Sequence, residues 1–417
     1  MTTVIKAIRS GHPGSLFSAF LYFDVSFMIW ILLGPLAVYI ADDFALSPAQ
    51  KGFLVAIPIL SGAILRLLMG ALTDHIGPKK TGMTGLCLTL IPLVWGWKFA
   101  AGVHDLIAIG LLLGVAGASF AVSLPLASRW YPPEHQGLAM GIAGAGNSGT
   151  VITALAAPRL AEWLGWRAVF GIGMIPVILT LAVFALMAKD SPNQPRPKSW
   201  PDYLKVFRQR DSWWFNFFYC ISFGGFVGLA SYLVIFFHDT YGLSRMTAGN
   251  LTALCVFSGS FFRPVGGYLA DRFEGVRVLT FLFPATGIAM LGVGLNPPVA
   301  GAVALLFFGM MTLGMANGCI FQIVPQRFRD EIGVITGVVG AFGGLGGFFL
   351  PTMLGALKQL TGSAHAGFLV FGILPLAGCA LLQSVYRFSW KKTWMARPLP
   401  VSLDFGGRVR MEVVFGG

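Results

Sequence analysis

The sequence predicts an all-α integral membrane protein with about twelve transmembrane helices, arranged as two pseudo-symmetric six-helix bundles. Of its 417 residues, 56% are hydrophobic and 11% are charged, whereas soluble domains carry roughly 25% charged residues. Apolar runs of about 19 to 25 residues recur along the chain, and each is long enough to cross roughly 30 Å of hydrocarbon as a helix. A lipid bilayer is therefore the expected surroundings of most of the chain.

The predicted spans follow one another along the whole chain. They begin near Leu16, Phe53, Thr81, Leu106, Gly137, Ala168, Trp213, Asn250, Val278, Ala300, Gly333 and Gly367. The first apolar run, residues 16–40, is too long for the apolar region of a cleaved signal peptide, and no small-residue cleavage site follows it. We therefore expect it to remain as the first span.

Basic residues predict the orientation of the spans. Of the 29 Lys and Arg residues, 21 fall in segments on the side of the N-terminus, six fall on the other side and two lie within spans. Because cytoplasmic loops of membrane proteins are enriched in Lys and Arg, both termini are predicted to be cytoplasmic and the protein to lie in the cytoplasmic (inner) membrane. The same distribution accounts for the net charge of +12, so no nucleic-acid partner is expected.

Composition also argues against several other classes of protein. The five cysteines fall within apolar spans, and the six histidines lie at span ends or in loops without metal-binding spacing. We expect no disulfide, metal or other cofactor. The spans contain no nucleophile or acid/base pair of the kind that an enzyme needs, and the segment after Tyr386 is too short to be the output domain of a sensor.

A segment rich in Pro and charge divides the chain into two halves. The predicted units are an N-terminal six-helix bundle (1–190), a cytoplasmic linker (191–211), a C-terminal six-helix bundle (212–388) and a cytoplasmic tail (389–417). The halves share a string of four residues, Gly-x3-Arg-x3-Gly-x3-Asp. The copies, 197 residues apart, are Gly62, Arg66, Gly70 and Asp74, and Gly259, Arg263, Gly267 and Asp271.

Arg66 and Arg263 each lie inside an otherwise apolar span, where a guanidinium costs several kcal/mol. Asp24 is the only acid well inside a predicted span, so at least one arginine needs a mobile anion as its partner. The planar guanidinium offers paired donors. A small planar oxyanion such as nitrate, nitrite, formate or bicarbonate fits such donors better than a sugar does. Repeated halves place the site near the midplane, between the bundles.

Spans 5 and 11 are rich in glycine and give a second signal. Gly144 and Gly146 in span 5 and Gly343 in span 11 belong to these strings. Glycine in a transmembrane helix usually allows close packing of a neighbouring helix. Asn147 differs, because its amide needs a partner: its NH2 can donate to a bound anion while its oxygen accepts from a neighbouring helix. A purely structural bond between helices is the alternative.

The end of span 2 and the turn after it carry a charged motif that is partly repeated after span 8. Its residues are Gly70, Asp74, Gly77, Lys79 and Lys80, with Asp271 and Arg272 in the second copy. An Asp at a helix end can pair with a basic group on a neighbour and hold the cytoplasmic side shut; the alternative is a solvated turn whose charges set topology. The motif and the two halves resemble the major facilitator superfamily over the whole chain.

The glycine strings narrow this resemblance. Residues 143–149 and 337–347 resemble the paired signature segments of the nitrate/nitrite porter family, and residues 23–36 are similar to the first helix of its bacterial nitrate importers. The resemblance implies a secondary transporter in which Arg66 and Arg263 clamp the anion. It also implies that Asn147 and nearby glycine backbones approach the anion and that aromatic residues pack above and below it.

Three aromatic residues are candidates for that packing. Phe27 in span 1 and Phe120 in span 4 can form apolar walls, although aromatic residues within spans also serve ordinary packing. Some members of the family carry a tyrosine soon after a Phe-Gly-x-Phe-x-Gly string in span 7. Here residues 223–228 form that string and Leu229 follows it, so Tyr232, one turn further on, is the candidate.

Nitrate is the anion of a strong acid and cannot carry a proton itself. Its import against a negative membrane potential therefore needs protons carried on the protein, or exchange for another anion. Asp24 is the candidate proton carrier, because burial of a carboxyl group favours its protonated form; a gate contact is the alternative role. We expect a monomer that imports nitrate with protons. Nitrate/nitrite exchange, or carriage of another planar anion such as formate, is the alternative.

Overall fold

The computed structural model describes residues 6, 8–192, 200–328, 332–395, 402–403 and 409–410. Six helical spans form the first half of the chain: span 1 (Pro13–Trp30 and Leu33–Phe44), span 2 (Pro48–Ile76), span 3 (Pro78–Lys98), span 4 (Val103–Gly117 and Phe120–Ser128), span 5 (Pro133–Gly144 and Gly149–Leu164, joined by the 3-10 turn Ala145–Ser148) and span 6 (Trp166–Met187).

Six more spans form the second half: span 7 (Arg210–Tyr241), span 8 (Arg245–Phe261 and Arg263–Phe273), span 9 (Gly275–Gly294), span 10 (Val299–Arg327), span 11 (Ile332–Thr361) and span 12 (His365–Phe388). The other elements are the helix Trp200–Arg208, the 3-10 turn Trp390–Lys392 and two short antiparallel strands, β1 (Ser402–Leu403) and β2 (Val409–Arg410). The all-α membrane fold is confirmed, and each predicted start lies within five residues of the observed one.

Within the described residues, ten helical segments are long and apolar enough to cross a membrane. Spans 3 and 8 fall short of that criterion. Span 3 carries lysines at both ends, and span 8 consists of helices of 17 and 11 residues. The repeat pairs span 8 with span 2 and span 3 with span 9, and spans 2 and 9 are long and apolar enough to cross a membrane. We therefore describe spans 3 and 8 as spans too.

Prolines mark where several spans begin. Spans 1, 2, 3 and 5 each start at a proline, whose missing N–H would be unpaired in the first turn of any helix. Span 2 adds a capping box, in which the Ser47 hydroxyl accepts from the Gln50 N–H and the Gln50 amide oxygen accepts from the Ser47 N–H. Local sequence therefore sets these helix starts.

Spans 4, 5 and 8 are interrupted at similar depths in the bundle. Span 4 breaks after Gly117, span 5 tightens to a 3-10 turn at residues 145–148, and span 8 breaks at Phe262. Pro264 explains the last break, because it cannot donate to the preceding turn. A helix that ends inside the bundle leaves carbonyl and N–H groups free for other partners. These breaks lie at the depth of the two arginines.

The spans alternate in direction, so their ends form two faces. We call the face that carries the start of span 1 and the end of span 12 the terminal face, and the other the opposite face. At the opposite face Asp239 of span 7 pairs with Lys51 of span 2 at 2.8 Å, and Arg245 of span 8 pairs with Asp42 of span 1. These contacts join the two halves, so the structure is closed at the opposite face.

At the terminal face, the ion pairs between described residues lie within one half. Arg129 pairs with Asp74 at 2.5 Å in the first half, and Arg327 pairs with Asp211 at 2.5 Å in the second half. These two ion pairs therefore each stabilise a single half. This difference between the two faces is what alternating closure between two bundles requires.

The linker and the start of the tail are more ordered than the sequence indicated. The predicted linker contains the helix Trp200–Arg208, whose Phe207 packs against Phe342 of span 11. In the predicted tail, Trp390 stacks on Phe215 and donates to the Asp211 carboxylate at 2.9 Å. Residues 193–199 of that linker lie outside the described residues. So does the tail beyond residue 395, except for the two strands.

Candidate anion-binding site

Arg66 is the most completely enclosed charged side chain near the break in span 4. It is 1% exposed. Its Nη2 donates to the Gly117 carbonyl at 2.9 Å, and its Nη1 donates to the Gly340 carbonyl of span 11 at 2.7 Å. Its Nε is buried and has no hydrogen-bond partner among the described residues. Arg66 thus joins the two halves through backbone carbonyls and keeps one donor available.

Arg263 lies at the break in span 8, at the position that the repeat pairs with Arg66. Its side chain is partly exposed, and its Nη1 is buried and has no hydrogen-bond partner among the described residues. Among those residues neither arginine forms an ion pair with a carboxylate. The site therefore carries two positive charges and at least two unpaired N–H donors.

Aromatic rings surround the two guanidinium groups. The Phe120 ring lies near both, with its centroid 5.5 Å from the central carbon of Arg66 and 5.9 Å from that of Arg263. Phe223 lies 5.3 Å from Arg66 and Phe321 lies 5.7 Å from Arg263. Ring faces attract cations and exclude water. They stabilise the arginines without neutralising them.

Trp30 forms another wall beside Arg66, at 5.5 Å from its guanidinium carbon. Its indole N–H donates to the Pro58 carbonyl at 2.7 Å, and a Cβ at Gly117 would lie 2.2 Å from the indole nitrogen. Phe27 packs on Trp30 at 4.8 Å and on Phe23 at 4.2 Å. Phe27 therefore belongs to the layer of aromatic residues behind Trp30.

Asn147 lies in the 3-10 turn of span 5 and is 1% exposed. Its backbone carbonyl accepts a hydrogen bond from the Ser260 hydroxyl at 3.4 Å, three residues before Arg263. Its side-chain oxygen is buried and has no partner among the described residues. The side-chain oxygen was expected to accept from a neighbouring helix, and among the described residues it does not. A buried amide oxygen normally has a hydrogen-bond partner, so Asn147 remains a candidate for binding a ligand.

The glycines predicted for the site take different positions. Gly144 has open space at its Cβ position, whereas a Cβ at Gly146 would lie 2.8 Å from the backbone nitrogen of Asp24. A Cβ at Gly343 would lie 2.5 Å from the Tyr219 ring, and one at Gly340 would lie 3.2 Å from Arg66. Gly146 therefore serves close packing of spans 1 and 5, while Gly340 and Gly343 shape the wall beside the arginines.

The tyrosine beside the arginines is Tyr219, and the structure places Tyr232 elsewhere. Tyr219 stacks on Phe223 at 5.1 Å and meets Phe321 edge-on at 4.9 Å. Its hydroxyl is close enough to the guanidinium groups of Arg66 and Arg263 to interact with both electrostatically. Tyr232 lies thirteen residues further along span 7, or about 20 Å at 1.5 Å per residue. One sequence signal could have pointed to Tyr219: the repeat offset of 197 residues pairs it with Tyr22 of span 1.

Removal of the Tyr219 hydroxyl in Tyr219→Phe is expected to lower kcat/KM for the transported anion by about tenfold. A hydrogen bond from the Tyr219 hydroxyl to a bound anion would contribute roughly 1.5 kcal/mol, while the phenyl ring keeps its packing on Phe223. Tyr232→Phe is the matched control and is expected to transport like the wild type. Equal effects of the two substitutions on initial transport rates would contradict the placement of Tyr219 in the site.

Asp24 lies in span 1 and is 8% exposed. Its Oδ1 accepts from the Ser148 hydroxyl at 2.5 Å. Among the described residues it forms no ion pair. Since Ser148 directly follows Asn147, the carboxylate contacts the same turn that carries the candidate anion-binding amide.

The charged motif after span 2 is held within the first half. Besides the contact of Asp74 with Arg129, the Asp190 carboxylate accepts from the Lys79 N–H at 2.8 Å. A Cβ at Gly77, where φ is +89°, would lie 2.7 Å from Asp190, so this turn requires glycine. Among the described residues, Gly70 is loosely packed, and Lys80, Asp271 and Arg272 are exposed.

The repeated halves, the interrupted spans and the paired cations define a membrane transporter built from two bundles. The chain matches the family model of the Major Facilitator Superfamily over residues 18–351 and belongs to that superfamily. It is therefore a multi-pass membrane transporter and not an enzyme. The resemblance to this superfamily is confirmed.

Relatives with assigned names are similar over most of their length. The chain is 35% identical to the nitrite extrusion protein of Bacillus subtilis, with 89% of this chain and 94% of that protein covered. It is 34% identical to the probable nitrate/nitrite transporter NarK2 of Mycobacterium tuberculosis (87% and 92% covered). It is 33% identical to the probable nitrate/nitrite antiporter NarK1 of Thermus thermophilus (85% and 87%).

Among solved structures, the fold is similar to that of a bacterial homologue of the human lysosomal transporter Spinster in an inward-facing, occupied conformation. The TM-score is 0.70, with 20% identity and coverage of 91% of this chain and 97% of that chain. This likeness concerns the fold alone.

Proposed function

We propose that this protein transports nitrate, and also nitrite, across the cytoplasmic membrane by alternating access, with the anion clamped between Arg66 and Arg263. The named relatives support this substrate class. The observation that carries the proposal is a pair of buried, unpartnered donors, Arg66 Nε and Arg263 Nη1. A buried donor without a partner costs about 1–3 kcal/mol, and more when it is charged. A planar oxyanion between the two groups satisfies both.

The same geometry links binding to conformational change. Arg66 belongs to the first half and Arg263 to the second, so their mutual repulsion opposes approach of the halves at this depth. An anion that contacts both reduces that repulsion and favours the conformation in which the halves meet. A ligand shifts a conformational equilibrium only through such a difference in affinity for the two states.

The orientation follows from charge. We assign the terminal face to the cytoplasm, because most basic residues outside the spans lie on that side. Closure at the opposite face then corresponds to an inward-facing state. The protein is expected to alternate between this state and one in which the ion pairs at the opposite face are broken.

The test is uptake by the purified protein in liposomes, with nitrate, nitrite, formate and chloride offered separately. We expect nitrate to enter and nitrite to compete with it, and we expect formate and chloride to enter much more slowly. If nitrate neither enters nor competes, the proposed substrate is wrong. Preferential uptake of formate would instead assign the clamp to carboxylates.

We further propose that protons accompany the anion on Asp24. The carboxyl group is buried, has no ion-pair partner among the described residues and contacts the turn that carries Asn147. Protonation weakens its bond to Ser148, which allows that turn to move. Proton binding and the position of the Asn147 amide are thereby coupled through a single hydrogen bond.

Addition of nitrate to wild-type vesicles is expected to make the outside medium alkaline, and Asp24→Asn is expected to abolish that change. Asp43→Asn removes an exposed carboxyl group at the opposite face and is expected to retain proton movement, so it serves as the control. If Asp24→Asn still moves protons, Asp24 is not the carrier. Wild-type uptake that needs internal nitrite and no pH gradient would identify nitrate/nitrite exchange.

A further inference from the structure

The closed opposite face contains a charge cluster that the anion clamp does not use. The Asp239 Oδ2 atom accepts from Lys51 Nζ at 2.8 Å and from Lys358 Nζ at 2.9 Å. The three side chains are 12–15% exposed. Two cations thus share one carboxylate at the edge of the interface between the halves, and the cluster keeps a net charge of +1.

Close packing of the backbones fixes the cluster in place. A Cβ at Gly52, next to Lys51, would lie 2.3 Å from the Pro351 carbonyl, and one at Gly355 would lie 2.5 Å from the Pro48 carbonyl. Spans 2 and 11 therefore cross in direct contact just where their lysines converge. The lysines are presented by rigid helix ends and not by mobile loops.

The members of the cluster belong to different halves, and this determines what happens when the face opens. Asp239 and Lys358 lie on spans 7 and 11 of the second half, so they remain together as a neutral pair. Lys51 lies on span 2 of the first half and must separate from Asp239. Opening therefore exposes one unpaired cation at the mouth, and closing covers it again with a carboxylate.

We propose that Lys51 is a capture site for small monovalent oxyanions at the opposite face, masked by Asp239 when the face is closed. The Asp239 carboxylate is itself a planar oxyanion, so it competes with an incoming anion for the same ammonium group. When the face closes, Lys51 pairs with Asp239 again, and the captured anion is released toward the arginines. The proposal rests on the anion transport proposed above and adds a site outside the clamp.

Lys358 has a separate role in this scheme. Without it, Asp239 would stand as an unpaired negative charge beside the open entrance and would repel the anion. The ion pair between Asp239 and Lys358 removes that repulsion. Lys51 then sets the electrostatic potential at the entrance. A single cation at a narrow entrance raises the local concentration of anions and their association rate, and salt screens this effect.

The test measures initial transport in sealed vesicles of both orientations, with whichever anion of the four-anion panel the wild type carries. Lys51→Gln is expected to raise KM from the opposite face by roughly tenfold, at the low end of charge-steering effects. It is also expected to weaken the salt dependence of transport from that face. KM from the terminal face and kcat are expected to stay near wild type, and Lys51→Arg is expected to restore KM.

Lys98→Gln is the matched control, because it removes the same charge from the same face, where Lys98 lies over Trp97 and outside the cluster. If Lys51→Gln behaves like Lys98→Gln, or raises KM equally from both faces, the capture site is refuted. Unchanged transport from the terminal face shows that the variant is folded. Failure of the anion transport on which this proposal rests gives a different result, since the wild type would then carry none of the four anions.

Discussion

Arg66→Lys is expected to lower kcat/KM for the transported anion by at least about a hundredfold. Lysine keeps the charge, but one ammonium group cannot donate to the Gly117 and Gly340 carbonyls and also to an anion in the directions that the guanidinium uses. Loss of two charge-assisted hydrogen bonds, at roughly 1.5 kcal/mol each, corresponds to about a hundredfold.

The matched control for this variant is Arg167→Lys. Arg167 lies at the opposite face, is 43% exposed and pairs with Asp43 at 3.4 Å, so the same chemical change there is expected to leave transport near wild type. The measurement is the initial rate over a range of anion concentrations for both variants. Transport by Arg66→Lys at the rate of Arg167→Lys would show that charge alone suffices and that the guanidinium fork is unnecessary.

Gly149→Ala is expected to be the most destabilising alanine substitution in span 5. A Cβ at this position would lie 1.9 Å from the Asp24 carbonyl oxygen, and that atom belongs to the backbone of span 1, so no side-chain rotation relieves the clash. Overpacking against movable side chains costs about 1–3 kcal/mol, and a backbone clash is expected to exceed that range.

Gly144→Ala provides the control, since among the described residues no atom of a neighbouring element lies within 4 Å of the Cβ position at Gly144. The measurement is the yield and apparent melting temperature of the monodisperse protein in detergent. We expect Gly149→Ala to lose both and Gly144→Ala to retain both. If the two variants are equally stable, spans 1 and 5 do not pack as described, and the link between Asp24 and the Asn147 turn is also wrong.

The fold was predictable because few backbone structures can span a bilayer. Spanning segments must satisfy their own backbone hydrogen bonds, which makes long apolar runs helical, and the repeat set the order of the spans. The helix Trp200–Arg208 was missed because its polar, proline-flanked sequence reads as a linker. The break in span 4 was missed as well, since no proline lies at residues 118–119 to indicate it.

Residues of the candidate site were predictable where a charged or amide side chain lies within an apolar span. Arg66, Arg263 and Asn147 were selected as candidates because charge and amide groups are costly there, and the structure places Phe120 beside both arginines. The carbonyls of Gly117 and Gly340 could not be found, because every residue has a carbonyl and only the fold shows which ones are free. Tyr219 and Tyr232 differ only in depth along one helix, which residue type alone does not reveal.

The central claim is that one anion contacts both arginines, and a double-mutant cycle tests it most directly. Nitrate binding is measured at equilibrium for the purified wild type, Arg66→Lys, Arg263→Lys and the double variant. If both groups clamp the same anion, the second substitution costs less than the first, and the free energies depart from additivity by about 1 kcal/mol or more. Free energies that add within about 0.5 kcal/mol would show independent arginines and contradict the clamp.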